Sequence, residues 1–334
     1  MRIWLFTITA AAVLAACGGN PPVLVPAQAA HPNVERRHSW MDPSTRNETL
    51  LYVTNSNGLV SVYRYWQHTL AGVLTPFTMP LGECVDAAGD VYIADYSEKA
   101  LVEYAHGGAK PLRRILDTGF HPYGCAVDPA TGNLAVANYE DTTYSGYGDD
   151  TGNVAIYLGA KGKPVYYASD VGRVSSLGYD DHGNLLIADG EYEYYGYFDQ
   201  TMFYYLPKKS SQLLSIDLPN TQFSSGWPFV DSINYDGKYW VLTVYGDRLY
   251  RYTINIKAQE FDELQLSGGT GYVGGIWLYR QTPKAPATQV VGAGANQDGD
   301  AFAGYWKYPA GGNPYYEITT NLDGPFGVAI SLKQ

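Results

Sequence analysis

Short apolar stretches recur along this chain, each closed by a turn built on Asp and Gly and followed by a second apolar stretch. The copies read GECVDAAGDVYIADYSEKALVEYAHGG from Gly82, GCAVDPATGNLAVANY from Gly124 with NVAIYLGAKG from Asn153, SSLGYDDHGNLLIADG from Ser175 with MFYYLPKKS from Met202, and DSINYDGKYWVLTVYGDRLYRYTI from Asp231. Each predicts a strand, a tight turn, a second strand and a third strand that ends near an aromatic. PLRRIL from Pro111 and PVYYAS from Pro164 supply fourth strands. Strand-and-turn units repeating every 42 to 56 residues or so are the pattern of propeller blades, in which each small sheet buries its faces against its neighbours.

A fifth, more diverged unit runs from VGGIWLYR at Val273 through TQVVGAG and AGYWKYPAGG to YYEITT at Tyr315. The unit at Leu50, LLYVTNSNGLVSVYRY, has second and third strands but no first strand before it. GPFGVAIS, from Gly324 to Ser331, has the first-strand pattern and would sit beside LLYVTN, leaving no unpaired inner edge. The expected fold is all-β: a six-bladed β-propeller of four-stranded antiparallel blades over 49–334, the ring closed by pairing the C-terminal strand with the N-terminal blade.

The first residues change the picture of where this propeller resides. MRIWLFTITAAAVLAAC has one positive charge at Arg2 and an apolar stretch from Ile3 to Ala16, too short for the roughly 20 residues that span a bilayer. The segment Leu14-Ala15-Ala16-Cys17 resembles the bacterial lipobox, which implies a signal peptide over 1–16 and acylation of Cys17. Residues 17–48, rich in Pro, Ala, Asn and charge, read as a lipid-anchored tether, with Trp40 and Met41 placed to dock on the body. The expected location is extracytoplasmic, held on a bacterial membrane by the lipid, with the outer membrane or cell surface favoured by Gly18 after the cysteine. A formal net charge of −11 argues against nucleic acid as a partner.

The stretches LYVTN and VYIADY, with first strands of the GCAVD type, resemble YVTN and NHL repeats. The layout as a whole, with SWMDP before the first unit, GECVD, YGCAVD, the YAHGG and YPAGG turns and the PFGVAIS end, is similar to a group of uncharacterised bacterial propeller lipoproteins over about residues 39–334. That resemblance implies a fold and not a reaction, since propellers host enzymes, receptors and scaffolds alike.

Candidate chemistry is sparse. Cys84 and Cys125 fall in the first strands of adjacent blades, one position out of step, which leaves open an inter-blade disulfide or two buried thiols. Asn55, Asp95, Asn138 and Asp189 close the second strands and read as turn caps bonding the next amides, while Asp86, Asp128, Asp180 and Asp236 open the tight turns. Of the 31 tyrosines, Tyr63, Tyr104, Tyr157, Tyr252 and Tyr308 fit blade-to-blade packing. The excess lies in two insertions after the second strands of blades three and four. They place Tyr139, Asp141, Tyr144, Tyr147, Asp149 and Asp150 near Glu191, Tyr192, Glu193, Tyr194, Tyr195, Tyr197 and Asp199, with Trp227 and His121 bordering the same face. Aromatics mixed with carboxylates suit a carbohydrate, a peptide or protein ligand, or Ca²⁺ held by oxygen, although long polar loops without a ligand fit equally. No cofactor is required. A nucleophile motif, a zinc motif and a glycine-rich phosphate loop are absent from the sequence, so the expected role is a non-catalytic binding or interaction module. The alternative is a lactonase- or streptogramin-lyase-like enzyme with a divalent ion, for which Glu83 and His121 are the weak catalytic candidates.

Overall fold

The computed structural model describes residues 38–116, 119–139, 152–167, 172–193, 197–219, 230–244, 246–254, 258–267, 270–282 and 284–333, with only the backbone at 191–193, 197–200, 260, 261 and 270. Their strands form six antiparallel sheets. Blade one pairs Pro325–Ser331 with Leu50–Asn55, Val60–Arg64 and Thr69–Leu74. Blade two is Pro80–Val85, Val91–Asp95, Ala100–Tyr104 and Pro111–Leu116, and blade three is His121–Val127, Leu134–Tyr139, Gly152–Tyr157 and Val165–Tyr167. Blade four is Arg173–Tyr179, Leu185–Glu193, Tyr197–Leu206 and Leu214–Ile216. Val230–Tyr235, Trp240–Val244, Arg248–Ile254 and Ala258–Gln265 make blade five, and Thr270–Tyr279, Gln289–Asn296, Ala301–Lys307 and Tyr316–Ile318 make blade six. The first strand of each blade packs against those of both neighbours, so the six close a ring around a central channel. The closing pair runs in register from Leu50 opposite Ser331 to Val53 opposite Val328.

Both faces of every blade are buried, which explains why second strands such as LLIA are continuously apolar instead of alternating. Leu185 and Ile187 pack towards blade three, while Leu186 and Ala188 pack towards blade five. The core is accordingly six clusters, one at each seam between blades. Tyr63, Tyr104, Tyr157, Tyr252 and Tyr308 are buried in those seams.

Glycines let the inner strands approach closely. A Cβ on Gly82 would stand 2.7 Å from Gly124 Cα, one on Gly327 2.5 Å from the Leu81 carbonyl, and one on Gly275 2.8 Å from the Phe326 carbonyl. At the lower end, where first strands turn into second strands, Asp86 Oδ1 accepts from the Ala88 and Asp90 amides at 2.9 Å. Asp180 and Asp236 hold their turns in the same way.

The residues that close the second strands act differently from turn caps. Asp95 accepts from the Thr78 and Met79 amides at 3.0–3.2 Å, Asp189 from Gly172 at 2.8 Å, and Asn55 from Asp323 at 2.9 Å. Each partner lies just ahead of the first strand of the same blade. The carboxylate or amide oxygen of these side chains therefore pins the incoming segment at the upper end, and Asn55 also donates to the Leu59 carbonyl that follows it, as a turn cap would be placed to do.

Residues 40–48, at the end of the stretch expected to be tether, belong to blade one. Trp40–Met41 pairs with Val73 and Gly72 as a fifth, outer strand. Arg64 then clamps the following turn through Asp42 at 2.6 Å and Glu48 at 3.0 Å. The hydrogen bonds from Ser44 and the Arg64 guanidinium pull the Asp42 carboxyl down to about 2.

Cys84 and Cys125 are bonded, with Cα atoms 5.6 Å apart. The one-residue offset, which in a single sheet would point the side chains to opposite faces, is what this packing requires. Blade two presents its front to the back of blade three, so side chains that meet across the seam occupy positions of opposite parity. Ala126, the counterpart of Cys84, likewise faces Leu177, the counterpart of Cys125. The bond closes a loop of 41 residues. Replacing both cysteines with alanine should lower the unfolding free energy by about 3–4 kcal/mol. Urea titration with and without reductant checks this: reductant should shift the wild-type midpoint down and leave the double variant unmoved.

Candidate functional site

Of the segments singled out in the sequence, Tyr139, His121 and the hairpin of blade four are described, at the upper end of the blades. Asp141, Tyr144, Tyr147, Asp149, Asp150, Tyr194, Tyr195 and Trp227 lie outside the described residues. For Glu191, Tyr192, Glu193, Tyr197 and Asp199 the backbone alone is described. It shows that the insertion in blade four is not a loop but an extension of the hairpin. Glu191 pairs with Gln200, Tyr192 with Phe198 and Glu193 with Tyr197, with a bulge between Glu191 and Tyr192. The run EYEYYGYF is rich in tyrosine, which favours the strand conformation, so the ladder continues past the end of the blade.

Beside this hairpin four side chains line up across three blades. The His121 ring stacks on Tyr96 at 4.5 Å, and Tyr96 faces Tyr139 at 6.0 Å. The Arg173 guanidinium lies 4.7 Å from the centroid of the Tyr139 ring. His121 is fixed by its Nδ1, 2.9 Å from the Tyr96 carbonyl, which orients the imidazole as an N–H donor to it. All four are half-buried. The rings cover one another's faces, so this wall is a stacked column that shows ring edges and ends in a cation. Tyr96 and Arg173 were not singled out in the sequence, since each is one residue at the edge of a strand, and only neighbouring blades bring them to Tyr139.

Below this wall the inner strands enclose a cavity of about 450 Å³ lined by all six blades. On the blade five side its wall is polar. The Tyr272 hydroxyl donates to Asp231 Oδ1 at 2.7 Å, and Asn234 Nδ2 donates to Ser232 Oγ at 3.2 Å and to the Ile276 carbonyl at 3.1 Å. Burial raises the Asp231 carboxyl to about 7, opposed by the Tyr272 hydrogen bond. At the lower mouth Arg280 grips Asp181 with two hydrogen bonds of 2.7 Å, tying blade six to blade four across the turn of blade five.

Glu83 and His121 are not brought together. Glu83 is 7% exposed. It occupies the position that Cys125 fills in blade three, and it faces Ala329 in the seam between blades one and two. Burial holds its carboxyl well above the usual range. His121 belongs to the stack on blades two and three. Among the described residues no group of three or more His, Cys, Asp or Glu stands together as a metal site.

Solved structures share this architecture. A chain of the nidogen/laminin complex aligns with a TM-score of 0.60 at 13% identity, over 86% of this chain and 99% of that one. A protein of unknown function from Bacteroides caccae gives 0.61 at 11% identity, over 85% and 99%. The Cps50 (Swd1) β-propeller domain of Myceliophteria thermophila gives 0.53 at 10%, over 87% and 88%. At these identities the likeness establishes the fold alone. No family model matches the chain, and no curated protein is similar to it.

The raised carboxyls make stability depend on pH in a defined direction. An unfolded aspartate titrates near 4 or so, whereas Asp231 in the fold keeps its proton to about 7. Its stabilising contribution is therefore complete below the unfolded value and is lost as pH rises through 7. Glu83 acts in the same sense. In Asp231→Asn the thermal midpoint should decline less than in the wild type as pH rises from about 5 to about 8. Parallel profiles would mean that the carboxyl titrates normally in the fold.

Proposed function

We propose that the protein is a lipid-anchored, extracytoplasmic binding module of the YVTN/NHL-like propeller lipoprotein kind, which takes its ligand on the upper face over blades three and four. The observation that carries this reading is the His121–Tyr96–Tyr139–Arg173 wall standing beside the extended hairpin of blade four. Rings held against one another supply contact at little entropic cost through their edges, and Arg173 adds a charge. The ligand classes that fit are a carbohydrate, a peptide or a protein segment, with Ca²⁺ as a bridging ion for the carboxylates of the insertions. A structural neighbour crystallised as a nidogen/laminin complex supports a protein partner as one of these. The membrane attachment rests on the lipobox-like sequence ending at Cys17, and placement on the outer membrane or cell surface rests on Gly18 after it.

A ligand that binds only the native state raises the thermal midpoint. Full-length protein is screened with Ca²⁺, EDTA, sugars and basic peptides, alongside a variant with 191–199 replaced by a short turn and a Tyr139→Ala, Arg173→Ala double variant. The expected outcome is a rise in midpoint for one class that both variants lose; an equal rise in all three proteins would move the binding site elsewhere. In a bacterial host, Cys17→Ser should release the protein from the membrane fraction and abolish incorporation of labelled fatty acid. Unchanged membrane retention and labelling would refute the anchor.

A further inference from the structure

The opposite, lower end of the propeller carries an aromatic cluster at the seam between blades six and one, remote from the upper wall. The turn Tyr65–His68 of blade one leans onto blade six. Tyr65 stacks on Tyr279 at 5.0 Å, Trp66 meets the same ring edge-on at 5.2 Å, and His68 lies flat on Tyr316 at 3.8 Å and 16°. Tyr305 forms the floor, 4.7 Å from His68 and 5.4 Å from Tyr65. His68 has φ of 58°, a left-handed conformation that histidine adopts more readily than most side chains, and it sets the imidazole on Tyr316.

Exposure is concentrated here. Among the described residues the exposed large aromatics are Trp40, Trp66, Tyr166, Tyr315 and Tyr316, and three of these five stand in this cluster. Polar capacity is left over as well. Gln289 Oε1 accepts from both the Tyr65 and Tyr315 hydroxyls, at 2.6 and 2.7 Å, and its Nε2 donors engage no described residue. The rings and the amide carry no ionised group, and burial keeps the His68 imidazole towards its neutral form.

These features select an occupant. A purely apolar partner would leave the Gln289 amide unmet, and a charged ligand would find no opposite charge among these side chains. A sugar ring presents an apolar C–H face to an aromatic and a rim of hydroxyls that both donate and accept. We propose that this shelf binds an uncharged carbohydrate chain, with sugar rings stacked on Trp66 and on the His68–Tyr316 pair and hydroxyls bonded to Gln289 and Tyr315. The shelf shares no residue with the upper wall, so either site stands if the other fails.

Isothermal titration of the full-length protein with maltoheptaose, cellohexaose and chitohexaose tests the proposal. One of the three should bind, and Trp66→Ala and Tyr316→Ala, which remove exposed rings, should each weaken it about ten-fold. Trp66→Phe should restore part of the affinity, and shortening 191–199 should leave it unchanged. The proposal is overturned if none of the three binds, or if binding survives loss of both rings. It is equally overturned if Trp66→Ala converts a concentration-dependent dimer into a monomer in light scattering without sugar, since the shelf would then be a contact between copies of the chain.

Discussion

Each blade of this propeller must bury both faces against its neighbours, and six such seams have to close on themselves. Most of the structure is arranged around that requirement. It makes the second strands apolar on both sides, with Leu185 and Ile187 serving one seam while Leu186 and Ala188 serve the next. It also forces glycine onto inner strands where backbones meet, as at Gly82 against Gly124 and Gly327 against Leu81. The last seam closes only because Pro325–Ser331, more than 260 residues from its partner in sequence, pairs with Leu50–Asn55.

The seams also decide what the unusual buried groups are. Front-to-back packing brings side chains of opposite parity together, which joins Cys84 to Cys125 across blades two and three. The equivalent position in blade two is Glu83, set against Ala329 where blade three has one half of the disulfide. The chain thus places a covalent bond at one seam and a proton-retaining carboxyl at the seam before it.

The two ends of the ring are built for different purposes. At the lower end Asp86, Asp180 and Asp236 hold their own turns, and Asp236 also accepts from the Tyr308 hydroxyl of blade six. At the upper end Asn55, Asp95 and Asp189 reach sideways to the segment leading into the inner strand of their own blade. In blade four the Gly172 amide bonded to Asp189 holds the residue before Arg173, while His121 is held by its bond to the Tyr96 carbonyl and its stack on that ring.

The sequence by itself determined the repeat, the blade number and the closure, because each rests on local chemistry: a strand-length apolar run, an Asp that caps its own turn, a first strand missing at one end and present at the other. It also marked the tyrosine-rich insertion of blade four, though as a loop, since strand pairing beyond Asp189 depends on register with Tyr197 to Met202. Only the tertiary structure decided which side chains meet. The parity that joins Cys84 to Cys125, the alignment of Tyr96 with Tyr139 and Arg173, and the gathering of Trp66, Tyr279, Gln289 and Tyr316 all join different blades. Tyrosines that look alike within their repeats become core or surface according to the blade that packs over them, and that is set by how neighbouring sheets stack, which no single repeat encodes.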